Sequence, residues 1–266
     1  MTRTRWWVVS DPPAAGRDQM ATDDALLELA RESRDVWLRF YRFAPPALSV
    51  GRGQTLSGIY LPGVAEIGAD LVRRPSGGQA VLHDDELTYA LAAPLGVIPG
   101  GVVESYRQIA EALLIALQKL GVRAELADPQ VAATSASREA NCFVAPSAYE
   151  LTVGGKKAAG SAQVRRRGGL LQHGALARTI DFQRWSACFV APGAARLGWQ
   201  TAMEARATGL FQHWPELSRP SDLAIEAAVV AGFSERFSVQ IQPATLPAKT
   251  RLAARAALTS SRRFAI

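Results

Sequence analysis

Residues 140–176 read ANCFVAPSAYELTVGGKKAAGSAQVRRRGGLLQHGAL, and the fold turns on them. Tyr149 to Val153 alternates bulky and polar side chains, Gly154-Gly155 follows, and Lys156 opens a second run. Two short runs joined by two glycines predict a β-hairpin, because glycine takes the positive φ of such a turn without a Cβ penalty. Lys156 and Lys157 come directly after the turn, and strand alternation sends them to opposite faces. One ammonium group therefore faces inward, where it is costly unless it is used. Ahead of the hairpin, Cys142 sits in a loop closed by Pro146. Behind it comes a floor of small residues, Ala158, Ala159, Gly160, Ser161 and Ala162. A thiol, an inward lysine and a small-residue floor suggest acyl-thioester chemistry.

Outward from the hairpin, Gly169 to Leu176 predicts a strand carrying His173. Upstream, residues 73–84 read RRPSGGQAVLHD. Two adjacent glycines before a strand let the backbone come close to a ligand and offer N–H groups to an anion or carbonyl. A bare Ser-Gly-Gly is also an ordinary hairpin turn. Periodicity predicts a helix over Gln19 to Glu32, N-capped by Asp18, with Ala21, Ala25, Leu26 and Leu29 on its apolar stripe. Strands follow at Val36 to Tyr41, Leu48 to Gly51, Asp70 to Arg73 and Glu86 to Ala92. Val103 to Leu120 predicts a helix stopped by Gly121 in the C′ position. Asp128 to Glu139 reads as a polar loop leading to Cys142. Short helices over 181–219, a helix from Asp222 to Ala231 capped by Ser221, a strand from Phe237 to Ile241 and a terminal helix within Thr250 to Ile266 complete the chain.

At 266 residues the chain is long enough for a real core, and 48% hydrophobic with 20% charged residues is the composition of a soluble globular protein. No apolar run approaches the ~18–20 residues of a membrane span. Two cysteines make no disulfide framework, which points to a reducing, cytoplasmic setting. Cys188, in the apolar context Trp-Ser-Ala-Cys-Phe-Val, reads as a small hydrophobe. The net charge of +6 lacks the basic stripe with interleaved aromatics that nucleic acid requires. It suits an acidic protein partner, for which Arg165-Arg166-Arg167 is the densest cluster. Three histidines without ligand spacing argue against a zinc site. There is no Gly-x-x-x-x-Gly-Lys-Ser/Thr loop and no Gly-x-Gly-x-x-Gly after a strand.

Gly-Lys-Lys-Ala-Ala-Gly-Ser-Ala-Gln over 155–163, followed by Leu-Gln-His-Gly over 171–174, resembles the biotin/lipoate protein ligase family. The Ser-Gly-Gly segment matches a second signature of that family, and Met20 to Leu26 resembles its opening helix. Ala-Asn-Cys-Phe-Val-Ala-Pro-Ser ahead of the hairpin resembles one branch, the LipM-type octanoyltransferases. The resemblance implies an α+β fold, a mixed, mostly antiparallel sheet flanked by helices. It implies a catalytic domain over 1–220 and a C-terminal helical extension over 221–266 packed on the same domain. The implied reaction moves an octanoyl (or lipoyl) group from acyl carrier protein to a lysine of a lipoyl domain or of the glycine-cleavage H protein. Cys142 would be the nucleophile and Lys157 the inward lysine beside it. Arg74, Ser76, Gly77, Gly78, His83, Gly160, Ser161, Ala162, Gln163 and His173 would bind substrate. No metal and no other cofactor is implied, since the thioester is already activated. An ATP-dependent lipoate–protein ligase would share the hairpin and the Gly-Gly turn without needing the cysteine. An amidotransferase between two lipoyl-accepting proteins would use it, and a non-catalytic carrier-protein-binding module would tolerate its loss. LipB-type transferases carry their cysteine after the lysine motif, nearer to Cys188, which makes Cys188 the runner-up nucleophile.

Overall fold

Alternation along one strand explains the layering. In β2 (Val36–Tyr41) every side chain is buried, because both faces of the sheet are covered. Val36, Leu38 and Phe40 point to one hydrophobic cluster and Trp37 and Tyr41 to another. A computed structural model of the protein describes residues 4–128, 141, 148–260 and 264. Its main sheet has six strands in the order β10-β11-β6-β2-β1-β12. These are β1 (Trp6–Ser10), β2, β6 (Glu86–Pro94), β10 (Ala159–Arg166), β11 (Gly169–Ala177) and β12 (Ile241–Pro243). Pairing is antiparallel from β10 through β11 and β6 to β2, and parallel from β2 through β1 to β12. The α+β architecture with a mixed, mostly antiparallel sheet is therefore as expected.

On the first face lie α3 (Val102–Lys119) and α6 (Asp222–Phe237), whose Ile109, Leu113, Leu117, Val229 and Phe233 pack on Leu38, Phe40 and Leu91. Gly232 sits where α6 crosses α3, and a Cβ there would fall 2.2 Å from the Ala112 carbonyl oxygen. On the second face lies α1 (Gly16–Ser33), with α7 (Ala248–Ser260) against it, so that Met20, Leu26, Leu27, Ala254 and Phe264 share a cluster with Trp37 and Leu171. A smaller sheet, β4 (Asp70–Arg73), β3 (Ala47–Val50) and β5 (Val81–His83), packs with α2 (Leu61–Glu66), α4 (Phe182–Phe189) and α5 (Ala194–Glu204) around a third cluster. Among the described residues no helix is long and apolar enough to cross a membrane.

Two local expectations are corrected. Asp18 is not the N-cap of α1. That helix starts at Gly16, its N-cap Ala15 makes no side-chain bond, and the Gly16 N–H donates instead to Asp70 Oδ2 of β4 at 3.0 Å. The segment Phe237 to Ile241 is not a strand, because α6 continues to Phe237 and Ser238 ends it in the left-handed region. The extra turn brings Phe237 onto Trp6 and Phe233, with ring centroids 5.1 and 6.0 Å apart, and the strand is displaced to Ile241–Pro243.

Candidate active site

The Gly-Gly hairpin forms as its sequence demands. β8 (Leu151–Val153) pairs with β9 (Lys156–Lys157) in the register Thr152↔Lys157, and Gly154 and Gly155 turn the chain at φ 56° and 75°. A third strand, β7 (Ala124–Leu126), pairs antiparallel with β8. The two lysines part as alternation requires. Lys156 Nζ donates to the Glu204 carbonyl at the end of α5, 2.7 Å away. Lys157 is 0% exposed, and its Nζ lies 2.6 Å from Oε2 of Glu150, itself 3% exposed. The Lys157 backbone is held from the far side, its N–H by Arg206 O at 2.8 Å and its carbonyl by Thr208 N at 2.9 Å. Cys142 and the rest of 142–147 lie outside the described residues, as does most of the loop expected from Asp128 to Glu139. The residue before Cys142 is placed: Asn141 bridges to Ala80, just past the Ser-Gly-Gly turn.

Between that turn, the start of β10 and the later half of β11 opens a pocket of about 450 Å³. Seven expected residues line it: Arg74, Gly78, His83, Gly160, Ser161, Ala162 and His173. Met20, Tyr41, Ser49 and Thr88, none of them singled out from sequence, complete much of its wall. Gly174 must be glycine, since a Cβ would lie 2.4 Å from Ser161 Oγ and 2.7 Å from the Gly160 carbonyl oxygen. A wider cleft of about 760 Å³ shares Gly78, Ser161 and Ala162 with the pocket. It adds Gly77, Gln163, Tyr106, Tyr149 and the exposed pair Val102 and Val103. Ser76 and Lys157 line neither space and are buried beside them.

The two histidines of the pocket are held alike. His83 Nε2 lies 2.8 Å from Ser49 Oγ, its Nδ1 bonds Glu86, and its ring stacks on Phe43 with centroids 4.2 Å apart. Thr88 donates to the same Glu86 oxygen at 2.6 Å. His173 Nε2 lies 2.6 Å from Ser76 Oγ and its Nδ1 2.8 Å from Asp23 Oδ2. Asp23 also accepts from Tyr41 Oη at 2.7 Å and Arg39 Nη1 at 2.8 Å, and Arg39 Nε donates to Asp11 at 2.6 Å. Burial pushes the Asp23 pKa up, but the hydrogen bond to His173, the Arg39 charge and the Tyr41 hydroxyl together hold it below the ordinary carboxylate value. Burial and then the Asp23 charge drive the Tyr41 phenol well above its usual range.

Arg74 acts differently from a free ligand-binding arginine. Its Nε and Nη2 donate to Gly77 O at 3.1 and 2.7 Å, Nη2 also to Gln79 O at 2.7 Å, and Nη1 to Ser49 O at 2.9 Å. The guanidinium braces the Gly-Gly turn, and Gly78, at φ 88°, approaches it so closely that a Cβ would sit 2.9 Å from Nη2. Gln163 bonds Gln172 Oε1 at 2.9 Å and Ser105 Oγ at 3.1 Å. Tyr89 bonds Ser161 Oγ at 2.8 Å and Gln172 at 3.1 Å, with its phenol pushed to about 12, chiefly by burial.

Cys188 is the small buried hydrophobe its sequence context suggested, which leaves it no part as the runner-up nucleophile. Cys188 is fully buried in α4 and lines neither space, and burial pushes its thiol to about 12, which leaves almost no thiolate near neutrality. The Arg165-Arg166-Arg167 cluster is engaged internally: Arg165 with the Gly100 and Gly101 carbonyls, Arg166 with Asp24, Arg167 with Glu28. Glu150 and Asp23 were missed. Each had a signal, Glu150 from the hairpin register and Asp23 from its phase in α1.

The lipoyl protein ligase A/B catalytic domain matches residues 15–233. Octanoyltransferase LipM of Symbiobacterium thermophilum is 37% identical over 253 residues, covering 91% of this chain and 90% of that protein. Octanoyltransferase LipM of Carboxydothermus hydrogenoformans is 37% identical over 251 residues, covering 92% and 91%. Among solved structures, the bi-partite lipoate protein ligase of Thermoplasma acidophilum superposes with a TM-score of 0.79 at 21% identity, covering 97% of this chain and 94% of that one. Lipoate-protein ligase A bound with ATP gives 0.75 at 24% identity, covering 98% and 96%. These two likenesses speak for the fold.

Proposed function

Because this chain belongs to the lipoyl protein ligase A/B catalytic-domain family, we propose that it is an octanoyltransferase working in two half-reactions. In the first, the Cys142 thiolate attacks the thioester carbonyl of octanoyl-acyl carrier protein, forms a new thioester and expels the carrier's thiolate, which takes up the proton the cysteine gave. In the second, the neutral amine of an acceptor lysine, on a lipoyl domain or the glycine-cleavage H protein, attacks that acyl-enzyme. The C–S bond breaks as the amide forms, the nitrogen releases one proton to solvent, and the cysteine thiolate returns. The Lys157 ammonium, three residues ahead of pocket-lining Gly160, favours the thiolate and the developing oxyanion. Burial of the acyl methylenes contributes roughly 5 kcal/mol at about 0.8 kcal/mol per CH₂.

The observation that carries this reading is the state of the pocket's polar walls. Arg74 is bound by backbone carbonyls, and both histidines by a hydroxyl and a carboxylate. Such walls suit an alkyl chain and, among the described residues that line the pocket, present no uncompensated cation to a nucleotide phosphate. They favour the transferase over an ATP-dependent ligase on the same fold. The test is intact-mass analysis after mixing with octanoyl-carrier protein in the absence of ATP. The wild type and Cys188→Ala should gain one octanoyl group, and Cys142→Ala none. Strict dependence on ATP with free octanoate or lipoate as donor overturns the proposal.

A further inference from the structure

We propose that Glu150 is a positioning residue of this reaction, fixing both the place and the charge of the Lys157 ammonium. The inference rests on the octanoyl-transfer reading and assigns a part to a side chain outside it. Lys157, in β9, and Glu150, the residue ahead of β8, form a buried ion pair at 2.6 Å, with Lys157 three residues before pocket-lining Gly160. A buried lysine alone sheds its proton to escape desolvation, and a carboxylate in contact keeps it protonated. Stability does not explain the pair, since apolar residues of similar volume commonly serve a core as well or better.

The frame around Glu150 is stiff. Tyr149 takes the left-handed φ of 63°, rare for a non-glycine residue, and its side chain lines the outer cleft. The next residue then enters the interior. Tyr149 N donates to Ala127 O at 3.0 Å and Ala127 N to Glu150 O at 2.8 Å, so the backbone on both sides of the bend is tied to the end of β7. Thr152, the cross-strand partner of Lys157, bonds Glu125 O at 3.4 Å. The Glu150 charge is felt at the pocket wall as well. Burial raises the Tyr89 phenol most, its hydrogen bonds to pocket-lining Ser161 and to Gln172 lower it, and the Glu150 charge adds a smaller push upward.

The experiment is steady-state transfer from octanoyl-carrier protein to an apo lipoyl domain by wild type, Glu150→Gln, Glu150→Asp, Lys157→Gln and the double Glu150→Gln/Lys157→Gln. Glu150→Gln should lower kcat by about 10²-fold, the factor that ~2.7 kcal/mol represents, with the KM for the acceptor within about twofold of wild type. Glu150→Asp, which keeps the charge, should recover to within about tenfold of wild type. In the Lys157→Gln background, Glu150→Gln should change the single-turnover rate by less than about twofold, because its effect passes through the lysine. A wild-type kcat for Glu150→Gln, no recovery in Glu150→Asp, or losses that multiply in the double variant overturns the inference. If Glu150→Gln does not fold, the double variant, with neither charge buried, is compared with Lys157→Gln by the same criterion. An inactive wild type in this assay refutes the transferase reading instead.

Discussion

The two histidine sites of the pocket make the same pattern from different material. Around His83 the partners are closer along the chain: Glu86 is three residues away and Ser49, 34 residues earlier, sits on the adjoining strand. Around His173 they come from across the chain, Asp23 from a helix 150 residues earlier and Ser76 from a turn 97 residues earlier. The first site forms where the small sheet's β3 and β5 run into the start of β6. The second exists only when α1, the Ser-Gly-Gly turn and β11 have all docked, and its carboxylate also neutralises Arg39. The same imidazole geometry can thus report local order in one place and the whole fold in the other.

The comparison is broken most severely at Asp23. Asp23→Ala leaves Arg39, 2% exposed, short of a carboxylate and removes the acceptor of both Tyr41 and His173. A loss of about 3–5 kcal/mol is expected in urea unfolding. Because the folded pKa of Asp23 is lowered, its stabilisation is fully present above the unfolded value of about 3.9 and disappears as the pH falls through the lower folded value. Asp23→Asn should therefore flatten the acid limb of stability below about pH 4. An unchanged acid limb would assign that sensitivity to other carboxylates. At the local site, Glu86→Gln keeps an acceptor for His83 and Thr88, and about 1–2 kcal/mol is expected by the same measurement. A loss equal to that of Asp23→Ala would erase the distinction between the sites. The smallest change sets the zero of the scale. Arg167→Ala removes an ion pair to Glu28 whose arginine side chain is 70% exposed, and the unfolding free energy should change by no more than about 0.5 kcal/mol, less still in high salt.

What the sequence disclosed follows the same division between near and far. The Gly-Gly turn specified its hairpin because loop length and φ set the register within a few residues. That register also places Glu150 on the face of Thr152 and hence of Lys157, as a side-chain period of two requires. Asp23 falls three residues after Met20 and four before Leu27, both buried, so helical phase put it inside α1 even though its type suggested solvent. Its partners were not legible, because nothing local joins residue 23 to residues 39, 41 and 173. The N-terminus of α1 failed for the same reason, since the carboxylate serving Gly16 N–H belongs to Asp70. Arg165 to Arg167 look like a docking patch when charge is counted, and tertiary pairing removes most of that character.

β12 pairs with β1 over Ile241, Gln242 and Pro243 and ends the sheet there. Without it, β1 would become the open margin, a row of unmatched N–H and C=O groups carried by Trp6, Trp7, Val8 and Val9. That is a template for a second chain to add to. The short strand that covers it finishes in proline, which offers no N–H to continue the ladder. A chain cut after α6 would retain every residue that lines the pocket and still be hard to keep in solution, because it would have lost the selvedge that stops one sheet from being stitched to the next.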